Sequence, residues 1–197
     1  VKNFLSMQTP YTSLLLFMGL GTGKTCTSIG VAEEMRSYMK QIGMNRRILV
    51  LASPQVINNF KLQLFDESKL SFEDGQWNIK SCVGNAILNE LSPTQLKDLN
   101  RDRLVANVQA IIKTFYEFQG YVKFANDVAN ALAAFPIGDS RRARKIQQLF
   151  NDRLIIIDEV HNIRMTRDND DLTTANYLFE IAEHAKNLRF VLLSATP

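Results

Sequence analysis

Short runs of branched and aliphatic residues alternate along the chain with longer stretches in which apolar positions recur every three to four residues. The runs Leu14 to Phe17, Ile48 to Ala52, Leu154 to Ile157 and Phe190 to Leu193 are continuous enough to form strands buried on both faces. Two further strands are expected at Asn78 to Val83, where apolar and polar residues alternate, and at Val108 to Lys113. Helical periodicity marks Lys24 to Met39, Gln55 to Phe65, Pro93 to Arg103, Phe115 to Ala134, Arg141 to Asn151 and Leu172 to Lys186. Ser92 before Pro93 supplies a helix cap followed by proline at the first helical position. Strand and helix therefore take turns, which predicts a mainly parallel sheet covered by helices on both faces, an α/β fold of three layers. Phe135 to Ser140, with its proline and glycine, reads as a loop inside the domain, and the polar stretch Asp168 to Asp171 as an exposed turn capping the next helix. No internal repeat or boundary between domains is visible.

Composition adds one core and no membrane. The chain has 197 residues, 46% apolar and 22% charged, as ordinary globular domains do. No apolar run approaches the roughly 20 residues that cross a bilayer, and the first residues do not read as an export signal. The two cysteines, Cys26 and Cys82, stand far apart in dissimilar surroundings. That separation predicts neither a disulfide nor a thiolate metal site, and hence an intracellular, reducing compartment. The net charge of +3 suits a nucleic-acid partner without requiring one. The run Arg141, Arg142, Arg144 and Lys145 reads either as a set of phosphate contacts or as a solvated helix face.

The segment Leu14 to Thr25 places a buried strand, a glycine-rich turn and a helix start in succession. Glycines at 19, 21 and 23 let backbone N–H groups converge on one point, and the dipole of the following helix strengthens the positive end of this nest. Such a loop, Gly19, Gly21, Thr22, Gly23, Lys24 and Thr25, is built to cradle the phosphates of ATP. Lys24 supplies a mobile charge to the β- and γ-phosphates, and the Thr25 hydroxyl is placed to ligate Mg2+. Met18 stands where the usual pattern has glycine.

A wholly apolar run, Leu154 to Ile157, ends abruptly in Asp158 and Glu159. In a parallel sheet that end faces the ligand crevice. Two adjacent acids there divide the labour: Asp158 holds the magnesium and Glu159 polarises the attacking water. The geometry required is that the loop around Lys24 and these acids reach neighbouring strand ends and share one Mg-triphosphate. His161 has no second histidine, cysteine or carboxylate set at ligand spacing, so a metal role is not expected of it.

Three segments in order, Gly19 to Thr25, Asp158 to His161 and Ser194-Ala195-Thr196-Pro197, resemble motifs I, II and III of superfamily 2 helicases. The resemblance covers nearly the whole chain as the first of two RecA-like domains. It implies that Lys24 and Thr25 contact phosphate and magnesium, that Asp158 is the metal-binding acid and that Glu159 is the catalytic base. It also implies that Ser194 and Thr196 link hydrolysis to movement, with His161 hydrogen-bonded toward them. Leu49 to Phe60 is similar to motif Ia, where Ser53 and the first helical N–H groups meet the nucleic-acid backbone. Ile112 to Phe118 resembles motif Ib loosely.

A narrower resemblance rests on Asn3-Phe4-Leu5-Ser6, Thr9-Pro10-Tyr11, Leu14 to Phe17, Gly19 to Ile29 and Asp158 to Ile163. These are similar to the helicase-type ATPases of nucleocytoplasmic large DNA viruses, which include early transcription factor subunits and a nucleoside triphosphate phosphohydrolase. A histidine often precedes the glycine loop in that group, where this chain has Met18. The resemblance implies a nucleoside triphosphate hydrolase acting on DNA or RNA, with viral RNA polymerase as a further partner and the virion and host cytoplasm as its places of action. Three functions are carried forward: a helicase or translocase, a transcription factor subunit acting mainly through partner and promoter binding, and a nucleotide-binding scaffold, which the intact Lys24, Asp158 and Glu159 disfavour. The chain ends at Pro197 with nothing like the arginine-bearing motifs of a second RecA-like domain, and begins at Val1. The expectation is a portion of a longer protein that binds ATP with magnesium and hydrolyses it poorly alone.

Overall fold

The computed structural model describes residues 5, 9–19, 21–44, 46–91, 100–163 and 172–196. Five parallel strands form its main sheet: β1 (Ser13–Phe17), β2 (Ile48–Leu51), β5 (Tyr116–Gln119), β6 (Leu154–Ile157) and β7 (Arg189–Ser194), in the order β1-β7-β6-β2-β5. The two most apolar runs take central places, and all four residues of β2 and of β6 are buried. That is the expected fate of a strand covered on both faces.

Side chains alternate across β6. Leu154 and Ile156 join Val50, Val191, Leu193 and Leu16 in a core closed by helix α1 (Lys24–Gln41), with Phe60 and Leu64 of α2 (Pro54–Leu64) in the same cluster. Ile155 and Ile157 face the other way, with Leu49 and Leu51, toward α4 (Tyr121–Leu132), α5 (Ser140–Phe150) and α6 (Leu172–His184). The result is a three-layer α/β/α arrangement. A third cluster lies beside it, where Phe65, Ile79, Ile87 and Leu88 meet Leu104, Val105 and Val108 of α3 (Arg101–Phe115).

The local structure departs from the sequence expectation in several places. β1, expected to be buried on both faces, is an edge strand with Leu15 and Phe17 exposed, and the helix expected from Pro93 to Arg103 does not run through Asn100, which is extended and precedes α3. Val108 to Lys113 is helical, because Leu104, Val105, Val108, Ile111 and Ile112 form one apolar face of α3, whose first turn is capped by Asn100 accepting from Arg103 N. The expected helix from Phe115 to Ala134 is strand β5 followed by α4, and Gly120 separates them as the residue before the helix. Asn78 to Val83 is strand only at its start. The hairpin of β3 (Leu70–Glu73) and β4 (Gln76–Ile79) turns at Asp74-Gly75, both at positive φ, and the chain turns again at 81–83. Cys26 and Cys82, expected apart, are joined by a disulfide with their α-carbons 5.2 Å apart. The long connection between them folds back over α1, so the ground for expecting a reducing compartment falls away. The expected cap at Ser92 and turn at Asp168 to Asp171 lie outside the described residues.

The basic run on α5 is broken up by its partners. Arg142 is buried, pairs with Glu180 and donates to the carbonyls of Leu132 and Phe135, while Arg141 pairs with Asp139 at the start of the helix. Of the four cations Arg142 ties α5 to α6 and to the end of α4, while Arg141 makes an exposed local pair.

Candidate nucleotide site at the carboxyl edge of the sheet

The phosphate loop grows out of β1. Met18 N donates to Ser194 O at 3.2 Å, which ties the start of the loop to the end of β7. Gly21 and Gly23 then take φ of 75° and 90°, the left-handed region that residues with a Cβ enter at a cost. Thr22 Oγ1 donates to Gly19 O at 2.7 Å and braces the turn from within. Gly23 is the residue before α1. It offers no side-chain cap, and no acidic residue stands in the first helical turn. The leading N–H groups of α1 therefore remain for an anion, and the helix dipole favours one. Lys24 is buried, and its Nζ donates to Met18 O at 3.0 Å across the mouth of the loop. Thr25, half-buried, follows in the first turn.

The acids emerge from β6. Asp158 N donates to Leu51 O at 3.0 Å, continuing the ladder with β2, and the residue is 5% exposed. Burial pushes the Asp158 carboxyl above the ordinary carboxylate range, and the Glu159 charge adds to this; the Glu159 N–H and the Lys24 ammonium pull it back. The phosphate loop and the acids lie at the carboxyl edge of the sheet, although not on adjacent strands as the sequence reading expected, since β7 runs between β1 and β6. β7 joins them instead: its terminal Ser194 accepts from Met18 through its backbone and meets His161 through its side chain, with His161 Nδ1 3.1 Å from Ser194 Oγ. Ser194 Oγ in turn donates to Thr196 O at 2.5 Å.

Glu159 occupies an unusual conformation, with φ of 52°. Its N–H donates to Asp158 Oδ1 at 2.9 Å. Its Oε2 is buried and makes no hydrogen bond, although His161 Nδ1 stands 3.3 Å away. Two close carboxylates, one raised by burial and one with an unpartnered buried oxygen, suit a hard divalent cation. Among the described residues no cluster of three or more histidine, cysteine or acidic side chains could hold a metal ion. The donor set thus fits magnesium that arrives with a nucleotide, with phosphate oxygens and water completing its shell.

Ser53 lies elsewhere on the same edge. It is exposed, precedes Pro54 at the start of α2, and makes no capping bond with its side chain. The start of α4 lies beside it: Ala52 N donates to Gln119 O at 3.2 Å, and a Cβ on Gly120 would stand 3.9 Å from Ala52 O.

One residue at this edge escaped the sequence reading. Tyr121, the first residue of α4, donates its hydroxyl to the carbonyl oxygen of Asp158. The sole local signal is Gly120, which breaks what reads as one continuous helix.

The whole chain, residues 1–197, matches the family model described as "Type III restriction enzyme, res subunit". The chain belongs to this family. Its five-stranded parallel sheet and the order of its three motifs make it a RecA-like ATPase domain of the superfamily 2 helicase type, and a domain of this type uses ATP. Several viral proteins are similar to the chain. One is a protein of Acanthamoeba polyphaga mimivirus named as an ATP-dependent RNA helicase, 26% identical over 216 residues, which cover 100% of this chain and 17% of that protein. Another, of Frog virus 3 and named as a helicase, is 29% identical over 198 residues, 100% of this chain and 18% of its own length. A third is the early transcription factor large subunit homolog of African swine fever virus, 24% identical over 251 residues, 100% of this chain and 22% of the relative. The chain thus spans about a fifth of the length of these relatives. No solved structure matches. No described helix of this family member is long and apolar enough to cross a membrane.

Proposed function

We propose that the carboxyl edge of the sheet binds ATP with magnesium and hydrolyses it, as the motor of a longer nucleic-acid helicase or translocase serving viral transcription. The observation that carries this reading is the convergence of the loop and the acid turn on the end of β7: Met18 N donates to Ser194 O at 3.2 Å and His161 Nδ1 stands 3.1 Å from Ser194 Oγ. The Gly19, Gly21, Thr22 and Gly23 backbone and the free first turn of α1 receive the phosphates. Lys24 exchanges the Met18 carbonyl for β- and γ-phosphate oxygens. Thr25 and Asp158 hold magnesium, which when bound offsets charge on the phosphates. The Glu159 carboxylate orients the water that attacks the γ-phosphorus and accepts its proton, leaving ADP and inorganic phosphate.

His161, Ser194 and Thr196 form the link between the acids and the β7 end through which hydrolysis is felt elsewhere. Ser53 and the start of α2 meet the DNA or RNA backbone, where helix N–H groups suit a phosphate. A second RecA-like domain in the longer protein completes the site. An arginine from such a partner is worth roughly 10³ to 10⁵ in rate, so this domain alone turns over slowly. The relative among early transcription factor subunits favours a place beside viral RNA polymerase, in the virion and host cytoplasm. The test is Glu159→Gln in the full-length protein: ATP affinity should persist while turnover falls on the order of 10² or more. Unchanged hydrolysis would overturn the assignment of the base.

A further inference from the structure

The acid turn is held by a group outside the three motifs. The peptide joining Asp158 to Glu159 is gripped at both ends: its carbonyl accepts from the Tyr121 hydroxyl, and its N–H donates to Asp158 Oδ1 at 2.9 Å. The residue that follows that peptide, Glu159, has a left-handed backbone, which a side chain bearing a Cβ adopts only when its surroundings impose it. A further bond, from Asn162 N to Glu159 O at 2.9 Å, closes the next turn. Of these three bonds, two are local to residues 158–162, and the hydroxyl alone comes from another element.

Tyr121 is well fixed for this purpose. Its ring packs against the core between the sheet and α4 to α6, and its carbonyl accepts from Thr174 Oγ1 on α6 at 3.4 Å.

We propose that Tyr121 is a positioning residue for ATP hydrolysis: its hydroxyl fixes the Asp158–Glu159 peptide and so sets the direction in which both carboxylates project. The proposal rests on the assignment of Glu159 as base. It places the first residue of α4, beside the Ala52–Ser53 turn where nucleic acid is proposed to bind, in direct contact with the acid turn. Movement of that helix start is then transmitted to the acids through one hydrogen bond.

The test compares wild type, Tyr121→Phe and Glu159→Gln in the full-length protein. Tyr121→Phe removes the donor and keeps the ring. Its kcat for ATP should fall on the order of 10-fold, as misplacement of a catalytic group does. Its KM for ATP, its affinity for a fluorescent ATP analogue in magnesium and its thermal midpoint should stay close to wild type, KM within about twofold. A kcat within twofold of wild type beside an inactive Glu159→Gln would overturn the role of Tyr121 alone. Equal loss of kcat, nucleotide affinity and thermal stability would make the hydroxyl a structural group and would also overturn it. Full activity of Glu159→Gln would instead overturn the site assignment on which the proposal stands.

Discussion

The phosphate loop and the acid turn are alike in outline and opposite in construction. Each follows a parallel strand at the carboxyl edge of one sheet, and each needs backbone in the left-handed region. In the loop those positions are Gly21 and Gly23, which enter that region freely, and the bracing bonds, Thr22 to Gly19 and Lys24 to Met18, stay within seven consecutive residues. In the acid turn the position is Glu159, whose carboxylate is the proposed base, and the backbone is held partly by Tyr121 from another helix. A site that binds through backbone N–H groups can be written in local sequence. A site that acts through a side chain must be oriented by the rest of the fold.

The sharpest way to break this comparison is to give the loop the problem of the acid turn. Gly23→Ala meets no steric obstacle, since nothing lies within 4 Å of an added Cβ, yet it forces an alanine to φ near 90°. A left-handed alanine costs roughly 1–2 kcal/mol, so ATP affinity should fall about 5- to 30-fold by equilibrium titration. Unchanged affinity would show that the loop does not need the left-handed backbone to bind.

A smaller effect sharpens the other half. The Asp158 carboxyl is raised by burial, so its folded-state value lies above that of the unfolded chain. Such a group favours folding while it is protonated, and that contribution is lost as pH rises from the ordinary carboxylate range through the raised value. At neutral pH the nucleotide-free protein therefore buries a charge at a cost. Asp158→Asn should raise the thermal midpoint by a few degrees at neutral pH, and the gain should vanish in acid. Equal midpoints across the pH range would show that the acid is not strained by its site.

What was legible in the sequence follows the same division. The strand, glycine turn and helix start of the loop are contiguous, and the four residues of β6 are so apolar that they could only be buried. By contrast β5 was hidden, because Phe115, Tyr116, Phe118, Tyr121, Phe124 and Val128 fit a helical period across Gly120, and only pairing with β2 selects the strand. Val108 to Lys113 failed in the opposite sense: a branched run that suits a strand is helical because Phe65 and Ile79 offer α3 an apolar surface. The hairpin at Asp74-Gly75 went unread, and the meeting of Cys26 with Cys82 and the insertion of β7 between β1 and β6 are decided by the path of the chain. Tyr121 belongs to this second group. Its place beside Asp158 depends on β5 and β6 flanking β2, which no local pattern records.

The central claim is that the loop and the acids act on one Mg-triphosphate. The most direct measurement is ATP affinity titrated with magnesium, in the full-length wild-type protein and in Asp158→Asn. Magnesium should tighten ATP binding to wild type, while Asp158→Asn should keep the magnesium-free affinity and lose most of the tightening. An Asp158→Asn protein whose ATP affinity responds to magnesium as wild type does would contradict the account.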